Sequence, residues 1–308
     1  LTDIINDTAT AEPAVPAPKK DEGGWLAELR NLAILLLIVL GIHSFVAKPF
    51  YIPSASMMPI LLKGDRLVVS KYPYGWSYAS VSFHLMPPFA GRLLANMPER
   101  GDIVIVEPNG VRTDYIKRVI GLPGDVIEVR AGRLFLNGNP VPAEVRPTIT
   151  IPIDLNIDDP ADIQDGCTGR EVRGRNGEPM CELQIVRETL PNGVSYDTVE
   201  NGFNPATEQY GPYTVPPGHL FLMGDNRDHS ADSRFPSAAQ DPNAVGLGGS
   251  VPFEQIGGRA EFITFSLDGS SQWYNPLSWF TAMRGGRAGD SLRPERRSPP
   301  RRTPPPAN

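Results

Sequence analysis

Between residues 32 and 46 the chain reads LAILLLIVLGIHSFV, an apolar run broken only by Gly41, His43 and Ser44. With its flanks this run reaches the roughly 17 to 20 residues that a helix needs to cross a bilayer. A span over about residues 30–48 is therefore expected. Two other readings compete: a cleavable secretory signal and a buried core helix. A cleavable signal wants small residues in an A-x-A arrangement after the run, whereas this run leads into FVAKPFYIP, with Phe45 where a small residue belongs. The expectation is an uncleaved single-pass anchor, residues 25–48, in the cytoplasmic (inner) membrane. Lys19, Lys20 and Arg30 precede the span and only Lys48 closely follows it, although Asp21 and Glu22 lie nearby. Positive charge stays on the cytoplasmic side, so the bulk of the chain is expected on the extracytoplasmic, periplasmic face.

Beyond the span the chain reads as strands. Short β-branched runs, DIVIV at 102–106, DYIKRVI at 114–120, DVIEV at 125–129 and RLFL at 133–136, are separated by turn chemistry such as LPGD and NG. ELQIVRETL, GHLFLMGD and RAEFITFS continue the pattern, and no alternation of strand with helix appears. The 33 Pro and 30 Gly suit a turn-rich chain. The fold class is mainly β, an antiparallel barrel-like or sandwich domain over residues 49–283. Residues 1–24 are Ala, Pro and charge without periodicity and read as a disordered cytoplasmic tail. Residues 284–308 read as a second disordered tail, rich in Pro and Arg and suited to anionic lipid. A net charge of −6 lacks the basic excess that nucleic-acid binding requires.

The two cysteines, Cys167 and Cys181, lie 14 positions apart. In an exported domain they are a candidate disulfide, with two unpaired thiols as the alternative. No histidine stands beside them, so no zinc site is read there. The usual hydrolase signatures, G-x-S-x-G, S-x-x-K and H-E-x-x-H, are missing. One oddity stands out: after Lys71 the only lysine is Lys117, inside DYIKRVIGLPGD. On a strand, Lys117 shares a face with Tyr115 and Val119, and Ile116, Arg118 and Ile120 share the other. Taken alone it reads as an ordinary surface lysine. Its conjunction with PSASMMP and GDNRDHSADSR, two further polar clusters in a β meander, points instead to a site.

The segments IPSASMMPILLKGD, RGDIVIV with TDYIKRVIGLPGD, and GDNRDHSADSR with VPFEQIGGRA resemble the successive motif boxes of bacterial type I signal peptidases, in order behind an N-terminal span. The resemblance implies a serine endopeptidase without metal or cofactor. Ser56 would be the nucleophile and Lys117 the general base. Ser54, with the Ser56 backbone N–H, would form the oxyanion hole, and Ser230 would orient the Lys117 amine. Asp232 and Arg234 would form a supporting ion pair. The substrates implied are signal-peptide-bearing preproteins, met at the membrane lipid, with the secretion translocon a further candidate partner. Pockets for small side chains are implied at the first and third residues before the cut. Phe50, Ile52, Pro53, Met57 and Ile116 are the candidate walls, and edge backbone near Pro53 would take the substrate as an added strand. Two features depart from the pattern: His229 stands where the family usually has Asn, and residues 235–249 look like an insertion.

An unperturbed lysine, with pKa near 10.4, is neutral in only about one molecule in 2,500 at pH 7, so a lysine base requires a desolvating site. Tyr115, Ile116 and Met57 are suitable material. Three other readings stand beside this one. A conjugal-transfer peptidase or a self-cleaving repressor-type protease would use the same dyad, although a soluble repressor protease needs no anchor. A non-enzymatic envelope β-domain would leave Ser56 and Lys117 ordinary. The sequence also offers a Ser56–His229–Asp232 arrangement in which His229 is the base.

Overall fold

The computed structural model describes residues 24–80, 90–108, 113–157, 166–202 and 205–296. The chain divides into two compact units, residues 1–39 and residues 40–308. Among the described residues one helix is long and apolar enough to cross a membrane, α1 (Trp25–Phe45). Its 21 residues, at 1.5 Å per residue, span about 31 Å, which matches a hydrocarbon core of about 30 Å. Leu35, Leu36 and Leu37 are each more than half exposed, and Ser44 is the helix's one buried residue. The helix stops three residues short of the expected boundary at 48. The chain from Ala47 pairs instead with a strand, Lys48 opposite Val69, and so enters the β domain earlier than residue 49.

The larger unit is mainly β, and every strand pair described in it is antiparallel. Its principal sheet has seven strands. β1 (Ala47–Tyr51) lies at one edge, followed by β2 (Asp65–Ser70), β15 (Ile256–Ser266), β3 (Ile103–Val106), β4 (Tyr115–Gly121), β13 (His219–Met223) and β14 (Val251–Pro252). This sheet curls into a half-barrel. A second sheet takes the order β11 (Ser195–Val199), β10 (Pro179–Thr189), β8 (Ala143–Pro152), with β9 (Arg170–Arg173) also on β10. A third runs β12 (Gln209–Thr214), β5 (Val126–Arg130), β6 (Arg133–Leu136), β7 (Asn139–Pro140). The β-branched runs of the sequence become β3 to β6, because their alternation lets one face bury while turns such as Asn137–Gly138, both at positive φ, reverse the chain.

Four apolar clusters fill the unit. One, built on Ile52, Met57, Leu67, Ile103, Ile116 and Ile263, lies between the serine-bearing segment and the sheet. Among the described residues the one other α-helix, α2 (Pro276–Thr281), is short and is capped at its N-terminus by the Asn275 side chain. Cys167 and Cys181 form a disulfide that ties the start of the β9 segment to β10.

Packing continues beyond residue 284, where a tail was expected. Arg284 donates to Asp154 at 2.7 Å, Arg287 to Asp65 at 3.0 Å and Arg293 to Glu261 at 2.5 Å, and Leu292 is 3% exposed. Asp65 and Glu261 are buried. A buried carboxylate is costly unless paired, and arginines from this Gly- and Pro-rich stretch supply the partners. Residues 297–308, and residues 1–23 of the tail expected at 1–24, lie outside the described residues.

Candidate active site

Residues 52–65 carry Ser54 and Ser56 on a tight loop between β1 and β2. Ile52 N–H donates to Asp65 O and Gly64 N–H to Ile52 O, closing the base of the loop, while Met58 N–H to Ala55 O turns it at the serines. The Asp65 carboxylate accepts from Leu62 N–H at 2.8 Å. The serines are therefore held by backbone hydrogen bonds on a segment whose apolar residues, Ile52, Met57 and Leu61, point into the core.

β4 brings the lysine. Its pairing with β3 sets Lys117 opposite Val104 and Tyr115 opposite Val106, and the alternation of the strand turns Tyr115 and Lys117 to the cleft while Ile116 enters the core. Lys117 Nζ donates to Ser56 Oγ at 2.8 Å, and Ser54 Oγ lies 3.2 Å from Ser56 Oγ. Lys117 is 2% exposed and Ser56 5%. The Tyr115 ring centroid is 5.6 Å from Nζ, and burial raises the Tyr115 phenol above its ordinary range, which leaves it a neutral wall.

β13 delivers the third segment, residues 224–234, against the first two. Asn226 N–H donates to Ser56 O at 3.1 Å and its side-chain amide to Ala55 O at 3.2 Å, clamping the nucleophile loop from behind. Gly224 sits at this contact. A Cβ there would stand 2.5 Å from the Ser56 carbonyl oxygen and closer still to Ser230 Oγ, so only glycine fits. Asp232 is fully buried and accepts from Arg234 Nε at 3.0 Å, Arg234 Nη2 at 2.9 Å and Gly224 N–H at 3.0 Å. Burial alone would raise the Asp232 carboxyl, but the Arg234 guanidinium and the backbone N–H groups outweigh it and hold the carboxyl below its usual range.

Two further buried ion pairs underpin the segment. Arg118 donates to Asp225 at 2.7 and 2.6 Å, and Arg227 to Glu188 at 2.7 and 2.6 Å. These four residues were not singled out in the sequence. The available signal was Arg118 itself, a charge on the inward face of a strand flanked by Ile116 and Ile120.

The structure thus brings Ser54, Ser56, Tyr115, Lys117 and Ser230 to one cleft of about 620 Å³. Ser230 lines it, yet its buried hydroxyl has no hydrogen-bond partner among the described residues, so the expected bond to the Lys117 amine is not formed. The expected walls need correcting. Ile52 and Met57 are 0% exposed and Ile116 3%, so they offer a substrate no surface. Phe50 packs against the same core, and only Pro53 of that set is exposed. The side chains that line the cleft include Tyr115, Phe235, Pro236, Ala244 and Val245. His229 is exposed at the cleft. The Asp232 carboxylate it would need is fully engaged with Arg234 and Gly224.

The chain is similar to known proteins over most of its length. The family described as signal peptidase, peptidase S26, matches residues 25–265. A signal peptidase I of Rickettsia typhi (strain ATCC VR-144 / Wilmington) is 36% identical over 247 residues, covering 78% of this chain and 80% of that protein. A signal peptidase I of Rickettsia akari (strain Hartford) is 35% identical over 244 residues, covering 77% and 78%. A signal peptidase I of known structure from Enterococcus faecalis V583 is 22% identical and covers 53% of this chain and 97% of that one, with a TM-score of 0.25, too low to argue from.

Proposed function

The chain belongs to the signal peptidase family, peptidase S26, and from that premise we propose that it is a membrane-anchored serine endopeptidase that removes signal peptides from exported preproteins with a Ser56–Lys117 dyad. The observation that carries the dyad is the 2.8 Å contact between Lys117 Nζ and Ser56 Oγ, with both groups buried. Burial disfavours the ammonium form. A neutral Lys117 reverses that hydrogen bond: its lone pair accepts the Ser56 proton as Oγ attacks the scissile carbonyl. The same amine, now protonated, returns the proton to the departing amine. A tetrahedral oxyanion needs preorganised donors, and that role falls to the Ser54 hydroxyl, 3.2 Å from Ser56 Oγ, with the Ser56 N–H. Asp225, Glu188 and Asp232, each locked to an arginine, act as scaffold beneath the reacting groups.

The substrate reading rests on the anchor and the sheet edge. β1 lies at the edge of the principal sheet and runs directly into Ile52, Pro53 and Ser54. An extended peptide added along that edge would lead its carbonyl toward Ser56. A helix of the length of α1 keeps the enzyme on the surface from which a preprotein's own apolar helix emerges. The charge asymmetry around α1 favours the extracytoplasmic side for the peptidase unit. A fluorogenic peptide with Ala at the first and third positions before the cut tests the proposal. Turnover should vanish in Ser56→Ala and Lys117→Ala, and turnover equal to wild type in either variant would sink it.

A further inference from the structure

Residues 235–249 depart from the family's motif pattern, yet they form one wall of the cleft that holds Ser56 and Lys117: Phe235, Pro236, Asn243, Ala244, Val245 and Gly246 all line it. This wall is built, not loose. At its base Leu247 N–H donates to Asp232 O at 3.0 Å, Gly248 N–H to Phe235 O at 2.8 Å and Gly249 N–H to Ser233 O at 3.1 Å. Leu247 is buried in an apolar cluster with Val104 and Val119. Within the segment Gly246 N–H donates to Pro236 O at 2.9 Å, and a Cβ on Gly246 would collide with the Phe235 backbone. At its tip the Tyr115 hydroxyl donates to Val245 O at 2.9 Å, so the strand that carries Lys117 also fixes the strap. With its carbonyl pinned, Val245 is still 66% exposed, and it lines the cleft together with Ala244 and Phe235.

An exposed apolar side chain, held rigid across a cleft from a nucleophile, is a contact waiting for a ligand. We infer that the strap is a specificity element and that Val245 is its specificity-determining residue, contacting an apolar side chain of the peptide close to the scissile bond. Tyr115 is the positioning residue that holds it. A charge placed at this tip would repel one class of peptide and attract another, because selectivity follows the difference between two affinities. This inference rests on the proposed peptidase reading of the cleft.

The experiment uses the full-length protein in detergent micelles and a fluorogenic peptide set. The parent carries Ala at the first and third positions before the cut, and each other position from three before to two after is changed in turn to Glu or Lys. Val245→Lys and Val245→Glu are assayed against the set, with Val245→Ala to report loss of the apolar contact alone. The expected result is a reciprocal swap at one position: about a tenfold gain in relative kcat/KM for Glu peptides in Val245→Lys and for Lys peptides in Val245→Glu, the size expected of a partly shielded charge pair. Val245→Ala should raise KM for the parent several-fold with an unshifted pH profile. Tyr115→Phe should weaken selectivity at that same position. Normal hydrolysis by the wild type with no swap at any position would overturn the inference and leave the peptidase reading standing. A wild type that cleaves no peptide would sink both.

Discussion

At the scale of single residues the decisive fact is the burial of an amine against a hydroxyl. Replacing Lys117 by Arg keeps a cation but places a guanidinium there, which stays protonated at any usable pH. Lys117→Arg and Lys117→Ala should therefore each lower kcat by at least about a thousandfold, in line with the loss of a general base that works as a unit with its nucleophile. His229→Asn should keep most activity, since His229 is exposed and Asp232 is bound to Arg234. Initial rates on one peptide compare all three. Activity should also climb with pH on the acid side, because Lys117 must shed its proton before it can accept one from Ser56. A separate pH effect belongs to stability. Burial, more than the opposing Arg227, pushes the Glu200 carboxyl up to about 7, with Asp228 adding to the rise. Between the ordinary carboxyl range near 4.3 and about 7 the folded chain keeps a proton that the unfolded chain has released. That contribution to stability is present below about 4.3 and is lost as pH rises toward 7. Glu200→Gln should flatten this part of the profile, so that denaturation midpoints at pH 5 and pH 8 differ less than in the wild type.

At the scale of elements, residues 224–234 meet the Ser54–Ser56 loop through backbone, Asn226 N–H donating to Ser56 O at 3.1 Å. Gly224 is the sharpest instance, since a methyl group there meets both the Ser56 carbonyl and Ser230. Gly224→Ala should displace the nucleophile loop, with activity falling by more than about tenfold even where the circular dichroism is native, as misplacement of about 1 Å at a reacting centre does. The role of the helix can be tested by truncation. Ser44 is buried and Trp76 Nε1 donates to Phe45 O at 2.8 Å, so residues 40–46 belong with the β unit. A deletion that spares the β unit stops at residue 39. That truncate should keep its rate on a short soluble peptide and lose rate on a membrane-inserted preprotein, because the anchor supplies effective concentration rather than chemistry. Equal losses on the two substrates would contradict this.

At the scale of the whole molecule, the disulfide staples the β9–β10 region, and Thr168, next to Cys167, reaches Asn226 at 3.3 Å. Replacing both cysteines by alanine should cost about 3 kcal/mol for a closed loop of this length, measurable as a lower denaturant midpoint. The apolar helix, the antiparallel β class and the three polar segments were legible from the residues alone. Each of these is a local pattern: a long apolar run, a period of two, a cluster of turn and hydroxyl residues. The seat of Lys117 was half legible, because alternation paired it with Tyr115, but only the approach of the Ser54–Ser56 loop made it a partner for a hydroxyl. Three things were decided by tertiary structure alone. Ile52, Met57 and Ile116 became core instead of wall, since a strand pattern gives a face but not what covers that face. Arg284, Arg287 and Arg293 became structural, because the carboxylates they answer, Asp154, Asp65 and Glu261, stand 130, 222 and 32 positions earlier and burial is a property of the packed chain. Residues 235–249 became a wall of the cleft, through a hydrogen bond from Tyr115 that joins positions 130 apart. Pairings over such separations are fixed by chain packing, and no local period in the sequence encodes them.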